Sequence, residues 1–522
     1  MPGRTFRRLV MIAIMAAVIL DPAASFAGTD MDLVDRKTRP IWHWTLSGDA
    51  PLAETIIVQG VKAGAEFQPQ SAYLPALEDA LPRHRPYLPL GEDILPLGSA
   101  RVFGAEARIT ARSDSGLTLA CQRGKHPAGI VLSFERAFPS SAAFDLAIEG
   151  LGDGVRFVLV RAGGDAERRE DVIAEADFTS NRIAVPHGVG ERDAQLVIVC
   201  PRHEATVTIA SLRLEPRETA RARDTAAWIW KPSDWQGRLN ALRARLQEEG
   251  ISQLFLQLPL EDPSALTALL PMLRALREDG VRLVAVEGDP AMVSDEGQRN
   301  AIHRARRLAR FRTEHASLVD GVQYDVEPYL LASHAARPRQ SWDRWAALMA
   351  RLHRVAGERI ATVVPFWMIR DPAARSALAA TASHVDEYVV MAYRTDPAAV
   401  QAMAAPWLEE LDGAATVRIA LENGPLPVEF HRTYRRAEAG ELKISSLDGT
   451  LRVELFAGSI AADGAGLTYA FSHEVEADPA RVTFAGDRRR LDETGRTLLK
   501  NLAAWSNFRG LAYHAFLEVS ER

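Results

Sequence analysis

From Ala226 onward the chain alternates short apolar runs rich in β-formers with longer stretches whose apolar residues recur every three or four positions. The short runs predict strands at 226–230, 252–259, 282–287, 321–327, 359–367, 387–393, 416–422 and 510–517. Between the first of them, Leu239, Leu242 and Leu246, then Leu266, Leu269, Leu270, Leu273 and Leu276, each mark one face of a helix. Gly250 and Gly280 fall where those helices would end, just before the next strands. Strand and helix alternating in this way over residues 223–522 predict an α/β domain, a (β/α)8 TIM barrel. In such a barrel the C-terminal ends of the strands converge on one mouth, and chemistry is sought there.

The pattern before the barrel is different. Short alternating runs at 129–134, 143–148, 155–160, 183–185, 195–199 and 205–209 are separated by Gly, Asp, Ser and Pro turns. That spacing predicts an all-β sandwich-like domain over 28–222. Its stretch 51–98, rich in Pro and Leu, gives no readable periodicity. A further β-patterned segment, about 431–488, interrupts the barrel between its seventh and eighth strands and would stand beside the mouth.

The strongest chemical signal is Asp320-Gly321-Val322-Gln323-Tyr324-Asp325-Val326-Glu327, followed by Pro328. Side chains alternate along a strand, so Gln323, Asp325 and Glu327 share a face. Two carboxylates held that close do not both ionise easily, so one is pushed toward its protonated form. A protonated carboxyl beside an ionised one suits glycosidic cleavage, in which the leaving oxygen takes up a proton. An isolated D-x-E more often caps a helix or pairs with an arginine. Its place at the end of the fourth strand favours catalysis. Trp228, Trp230, Tyr329, Phe366, Trp367 and Tyr393 fall at strand ends where flat rings stack on sugar faces; Trp230 and Trp367 are the preferred candidates. Glu287 and Asp289 add polar groups after strand three, although Gly288 and Pro290 also fit an ordinary turn.

Residues 320–327 resemble the D-G-x-D-x-D-x-E signature of family-18 glycoside hydrolases, the chitinases and their relatives. Met391-Ala392-Tyr393-Arg394 resembles that family's M-x-Y-D motif on strand six. The resemblance covers roughly 223–522. It implies that Glu327 is the general acid/base and that Asp325 orients the substrate's N-acetyl group, whose carbonyl oxygen is the nucleophile. It also implies that Tyr393 hydrogen-bonds that group. Three departures bear on the electrostatics. Gln323 stands in place of an inner Asp, Arg394 in place of the Asp after the Tyr, and Tyr513 and His514 where the family has its eighth-strand Trp. Arg394 would suit an acidic or partly deacetylated glycan, or else pair with Asp325 or Glu327 and silence the site. The run 209–214 is similar to the closing strand of jelly-roll modules that accompany secreted glycosidases, and the segment 431–488 to an insertion of the chitinase group.

A second resemblance competes. Glu422-Asn423-Gly424 ends strand seven and, with Glu327-Pro328, is faintly similar to the T-E-N-G and N-E-P motifs of the β-glucosidase group. That implies a retaining glycosidase with Glu327 as acid/base and Glu422 as nucleophile, its carboxyls about 5–5.5 Å apart. Val326 stands where that group has Asn. A glycan-binding protein on a degenerate barrel is the non-enzymatic alternative. Gln323, Arg394, Trp230, Trp367, Tyr329, Glu422 and His514 are the candidate substrate-binding residues.

Composition narrows the setting. The formal charge of −6 and the absence of a basic patch interleaved with aromatics argue against a nucleic-acid partner. A polysaccharide or oligosaccharide is the expected partner. Arg4, Arg7 and Arg8 precede an apolar run, 9–20, that is short for a membrane span, and Ser25-Phe26-Ala27 offers a cleavage site. Removal of 1–27 and a periplasmic or secreted product, with no membrane contact afterwards, are expected. Cys121 and Cys200 are the two cysteines, open to one disulfide or two buried thiols. Histidines are scattered without ligand spacing, so neither a metal nor a cofactor is expected.

Overall fold

The computed structural model describes residues 40–46, 54–73 and 86–516 apart from 114–115, 178–180, 189, 191, 220–222, 317, 332–333, 335–336, 359, 448–449, 463 and 465. The leader-like segment 1–27 lies outside them.

Eight parallel strands close a barrel: β1 (Asp224–Ile229), β2 (Ile251–Leu256), β3 (Arg282–Glu287), β4 (Gly321–Tyr324), β5 (Ile360–Pro365), β6 (Val385–Met391), β7 (Thr416–Glu422) and β8 (Phe508–His514). Closure is by β8 against β1, with Asp224 opposite Gly510 and Ala226 opposite Ala512. Helices α1 (Leu239–Glu248), α2 (Pro263–Glu278), α3 (Asp295–Glu314), α4 (Pro338–Ala356), α5 (Arg375–Thr381), α6 (Pro397–Glu410) and α7 (Arg488–Leu502) lie between the strands. Leu242 and Leu246 of α1, and Leu269, Leu273 and Leu276 of α2, are buried as the periodicity requires. Gly250 and Gly280 adopt φ of 62° and 80°, the left-handed region that only glycine enters without strain.

The barrel interior is packed. Ala226, Trp228, Phe255, Val284, Val286, Val363, Val389, Met391, Ala420 and Ala512 form one apolar cluster. At the N-terminal end of the strands sits Arg418 of β7, with no exposed surface. Its Nε donates to Glu387 at 2.7 Å, and its Nη1 meets Asp224 Oδ1 at 2.5 Å. Burial opposes the positive charge, but Glu387 and Asp224 more than offset it and hold the guanidinium above its ordinary pKa.

Residues 98–216 form two five-stranded antiparallel sheets packed face to face. Leu117, Leu119, Ile130, Leu132, Leu146, Phe157 and Ile198 belong to their core. Cys121 ends a strand of one sheet and Cys200 follows a strand of the other, and they form a disulfide. Closing a loop over a sequence separation of 79 contributes about 4 kcal/mol in the chain-entropy account. The sandwich docks on the barrel through Glu409 of α6. That carboxylate accepts from Ser140 N at 3.0 Å, Ser140 Oγ at 2.7 Å and Trp505 Nε1 at 2.8 Å.

The boundary drawn at residue 28 needs correction. Pro40–Leu46, Thr55–Ala63 and Glu66–Tyr73 do not join the sandwich. They complete a seven-stranded antiparallel sheet with the insertion strands Glu429–Ala437, Ala439–Leu447, Thr450–Ala461 and Leu467–Ala477. Ile56 and Val58 pack with Tyr434, Leu442, Val453 and Tyr469, and Gln59 Nε2 donates to Glu429 at 2.8 Å. The insertion alone would leave the edge strand Glu429–Ala437 unpaired on one side; the N-terminal strands cover it. Among the described residues no helix is long and apolar enough to cross a membrane.

Candidate active site

β4 is shorter than its pattern suggested. It ends at Tyr324, and Asp325 to Glu327 run on without regular structure. Asp325 N still donates to Glu287 O of β3 at 2.8 Å, which keeps the segment in register. The approach is close: a Cβ on Gly288 would lie 2.3 Å from Asp325 O and 2.9 Å from its Cβ. A glycine after β3 is therefore what lets Asp325 settle against that strand end.

Gln323, Asp325 and Glu327 meet the neighbouring strand ends here. Gln323 is fully buried and accepts from Trp228 Nε1 of β1 at 2.8 Å. Asp325 and Glu327 are each partly accessible. Burial, then the charge of Glu327, pushes the Asp325 carboxyl well above the usual carboxylate range, with His514 pulling it back. Burial raises Glu327 as well, while the hydrogen bond from Tyr329 and the nearby His514 oppose that rise. Asp325 therefore holds its proton more tightly in the free protein, and Glu327 accepts the Tyr329 hydroxyl. Among the described residues, the buried Asp325 Oδ1 has no hydrogen-bond partner. An acceptor left open in such a place matches a donor carried by a ligand.

Tyr393 follows β6 and packs with the interior cluster. Its hydroxyl stays protonated far above the ordinary range, through burial and then the charges of Glu422, Asp325 and Glu327. His514, ending β8, lies nearly parallel to the Tyr393 ring with centroids 6.2 Å apart. Its Nδ1 lies 2.8 Å from Glu422 Oε2, and its Nε2 lies 3.3 Å from Trp230 Nε1. Indole can only donate, so when the imidazole is neutral this arrangement places its proton on Nδ1, toward Glu422.

Glu422 is thereby occupied. Its Oε1 accepts from Gly424 N at 2.6 Å, its Oε2 meets His514, and the residue is 2 % exposed. Trp367 lies outside this ring of contacts, edge-on to Tyr329 with centroids 5.1 Å apart, and against Trp342 at 6.2 Å. Arg394 turns away from the carboxyl pair. Its Nη1 donates to Tyr393 O at 2.6 Å, its guanidinium lies 5.8 Å from the Phe366 ring centroid, and it pairs with no carboxylate among the described residues. Glu287 is held by two bonds from Arg304, at 2.7 and 2.9 Å, on one wall of a cavity of about 420 Å³. Asp289 lines the same cavity and caps the turn after β3 by accepting from Ala291 N at 2.7 Å.

The structure thus gathers Gln323, Asp325, Glu327, Tyr329, Tyr393, Trp230, Glu422 and His514 around one mouth, with Arg394 and Trp367 at its rim. Two contributors were not legible as such. Trp228 read as one more aromatic, yet it fixes Gln323. Gly288 read as a turn residue, yet it admits Asp325.

The raised pKa of Asp325 has a consequence for stability. A carboxyl whose folded pKa lies above its unfolded value favours the fold while protonated in both states. That contribution is lost as pH rises through the folded value. Asp325→Asn is therefore expected to raise the melting temperature at pH 7–8 relative to the parent, and to flatten its decline above pH 4. Thermal unfolding followed across pH 4–8 measures this.

A comparison with protein-family models finds no match, and neither does a search of curated proteins. Similar solved structures include the spore cortex-lytic enzyme SleL of Bacillus megaterium QM B1551, at TM-score 0.31 and 11% identity, over 58% of this chain and 73% of that one. A GH18 chitinase from Pseudoalteromonas aurantia matches at TM-score 0.28 and 11% identity, over 39% of this chain and 81% of that one. The exo-β-1,4-mannosidase Op5Man5 of Opitutaceae bacterium strain TAV5 matches at TM-score 0.27 and 16% identity; this chain spans 39% of its length. Similarity this shallow says nothing of what the present chain acts on.

Proposed function

We propose that the protein is an exported glycoside hydrolase cleaving an N-acetylhexosamine-containing polysaccharide, with Glu327 as general acid/base. The observation that carries this reading is the Asp325–Glu327 pair, two carboxyls with raised pKa at the end of β4 with Asp325 Oδ1 unpartnered. An acetamido N–H donated to Asp325 would favour its ionised form. The proton it held is then better placed on Glu327, which passes it to the leaving oxygen. The acetamido carbonyl oxygen attacks the anomeric carbon, with the Tyr393 hydroxyl donating to the same group. Water then opens the cyclic intermediate, with Glu327 acting as base.

The two-carboxylate alternative asks Glu422 to attack the sugar. Both of its oxygens are engaged within the protein and it is almost wholly buried, which speaks against that role. The silenced-barrel alternative asks Arg394 to neutralise the acid, and Arg394 bonds to a backbone carbonyl instead. Export rests on the leader-like segment before residue 28.

Substrate assistance makes a sharp demand. Oligosaccharides of N-acetylglucosamine should be cleaved, and their fully de-N-acetylated counterparts should not. Equal turnover of both would remove the acetamido group from the mechanism.

A further inference from the structure

Three arginines stand along one wall of the mouth, Arg394 half-buried and Arg481 and Arg490 exposed, and among the described residues no acid balances them by contact. Thr395, two residues past Tyr393, is the hub: its N donates to Arg481 O at 3.2 Å and its Oγ1 to Ala480 O at 2.7 Å. Arg490 Nη2 donates to that same Oγ1 at 2.7 Å, and its Nη1 to Ala480 O at 3.1 Å. Arg394 is the neighbouring residue. The return of the insertion, which carries Arg481, is fixed over β7 by Phe484 N donating to Glu422 O at 3.0 Å. The wall therefore rises directly beside Tyr393 and Glu422.

Among the described residues, neither Arg394, Arg481 nor Arg490 makes a salt bridge, whereas Arg488 pairs with Glu249 at 2.8 Å and Arg489 with Glu493 at 3.0 Å. The nearby acids have other work. Asp396, Asp478 and Asp487 each accept a backbone N–H, from Ala399, Ala480 and Arg490. Burial, then the charge of Arg481, pushes Arg394 below its ordinary pKa, the mark of a cation short of a counter-charge. A half-buried guanidinium left in that state is costly, and an incoming anion relieves the cost.

We propose that Arg394 and Arg481, flanked by Arg490, form a subsite for an anionic substituent of the glycan, a uronate carboxylate or a sulfate ester. The inference rests on the glycan reading of the mouth and names its substrate class: an acidic rather than a neutral polymer. Planar guanidinium groups match carboxylate and sulfate oxygens in a bidentate way, so the subsite fixes orientation as well as charge.

The test uses the full-length Glu327→Gln protein, with and without the added pair Arg394→Gln and Arg481→Gln, each checked by circular dichroism. Inorganic sulfate, exchanged against chloride at constant ionic strength, should raise the melting temperature of the first protein and not the second. By calorimetry, a tetrasaccharide alternating glucuronate and N-acetylglucosamine should bind the first about tenfold more tightly than the neutral N-acetylglucosamine tetramer. The second protein should lose that preference, and a sulfated oligosaccharide tells ester from carboxylate. Equal affinities in the first protein, or a preference that survives the arginine substitutions, overturn the subsite. Equal binding of both tetramers by the first protein, with the neutral one cleaved by the parent protein, would do so while leaving the hydrolase reading intact. A sulfate effect that depends on both arginines, with neither glycan bound, would keep the anion site and sink the glycan reading.

Discussion

Glu327→Gln is expected to lower kcat on an N-acetylglucosamine oligosaccharide by about 10²–10⁴-fold, with substrate binding and fold retained. Glutamine keeps the shape of the side chain and can still accept from the Tyr329 hydroxyl, but it cannot deliver a proton. The leaving oxygen must then depart as an alkoxide or wait for water. In the proposed mechanism the Tyr329 hydroxyl, which donates to Glu327 and opposes the rise in its pKa, would hold back proton delivery from the free protein. On that mechanism, delivery would begin when substrate re-sorts the proton between Asp325 and Glu327. Single-turnover rates separate that step from product release. Unchanged rates in Glu327→Gln would remove this residue from the chemistry.

Arg418→Ala is expected to cost about 3–5 kcal/mol of stability, the largest single effect away from the mouth. The substitution leaves Glu387 without its 2.7 Å partner and Asp224, among the described residues, with Arg509 alone at 2.5 Å in the lower barrel. The cost comes from uncompensated charge, so it should shrink when Glu387→Gln accompanies Arg418→Met, which restores apolar volume. Urea unfolding of the single and double variants measures both numbers. Additive losses would mean that the pair does not act as a unit.

Much of the barrel could be read from the chain because its determinants are local. Strand runs, amphipathic helices and the two glycine caps each announce themselves within a dozen residues. That Asp325, Glu327 and Tyr393 lie together at strand ends was legible for the same reason, since they fall in short motifs. The seven-stranded sheet was not. Thr55–Ala63 pairs with Glu429–Ala437, and no local pattern marks a partner that far along the chain. The end of β4 was read three residues too long, since alternation continues through Glu327 while ladder pairing stops near Asp325. The role of Glu422 also needed three dimensions. As a glutamate ending β7 it reads as a nucleophile. Only its contacts with His514 and Gly424 turn it into a group that orients an imidazole.

The most direct test of the central claim is the configuration of the first product, followed by proton NMR while the protein cleaves an N-acetylglucosamine hexamer. Attack by the acetamido oxygen and then by water inverts the anomeric centre twice, so the β-anomer should appear first and mutarotate later, and Glu327→Gln should release it about 10²–10⁴-fold more slowly. Initial release of the α-anomer, or no cleavage by the parent protein, would contradict the account.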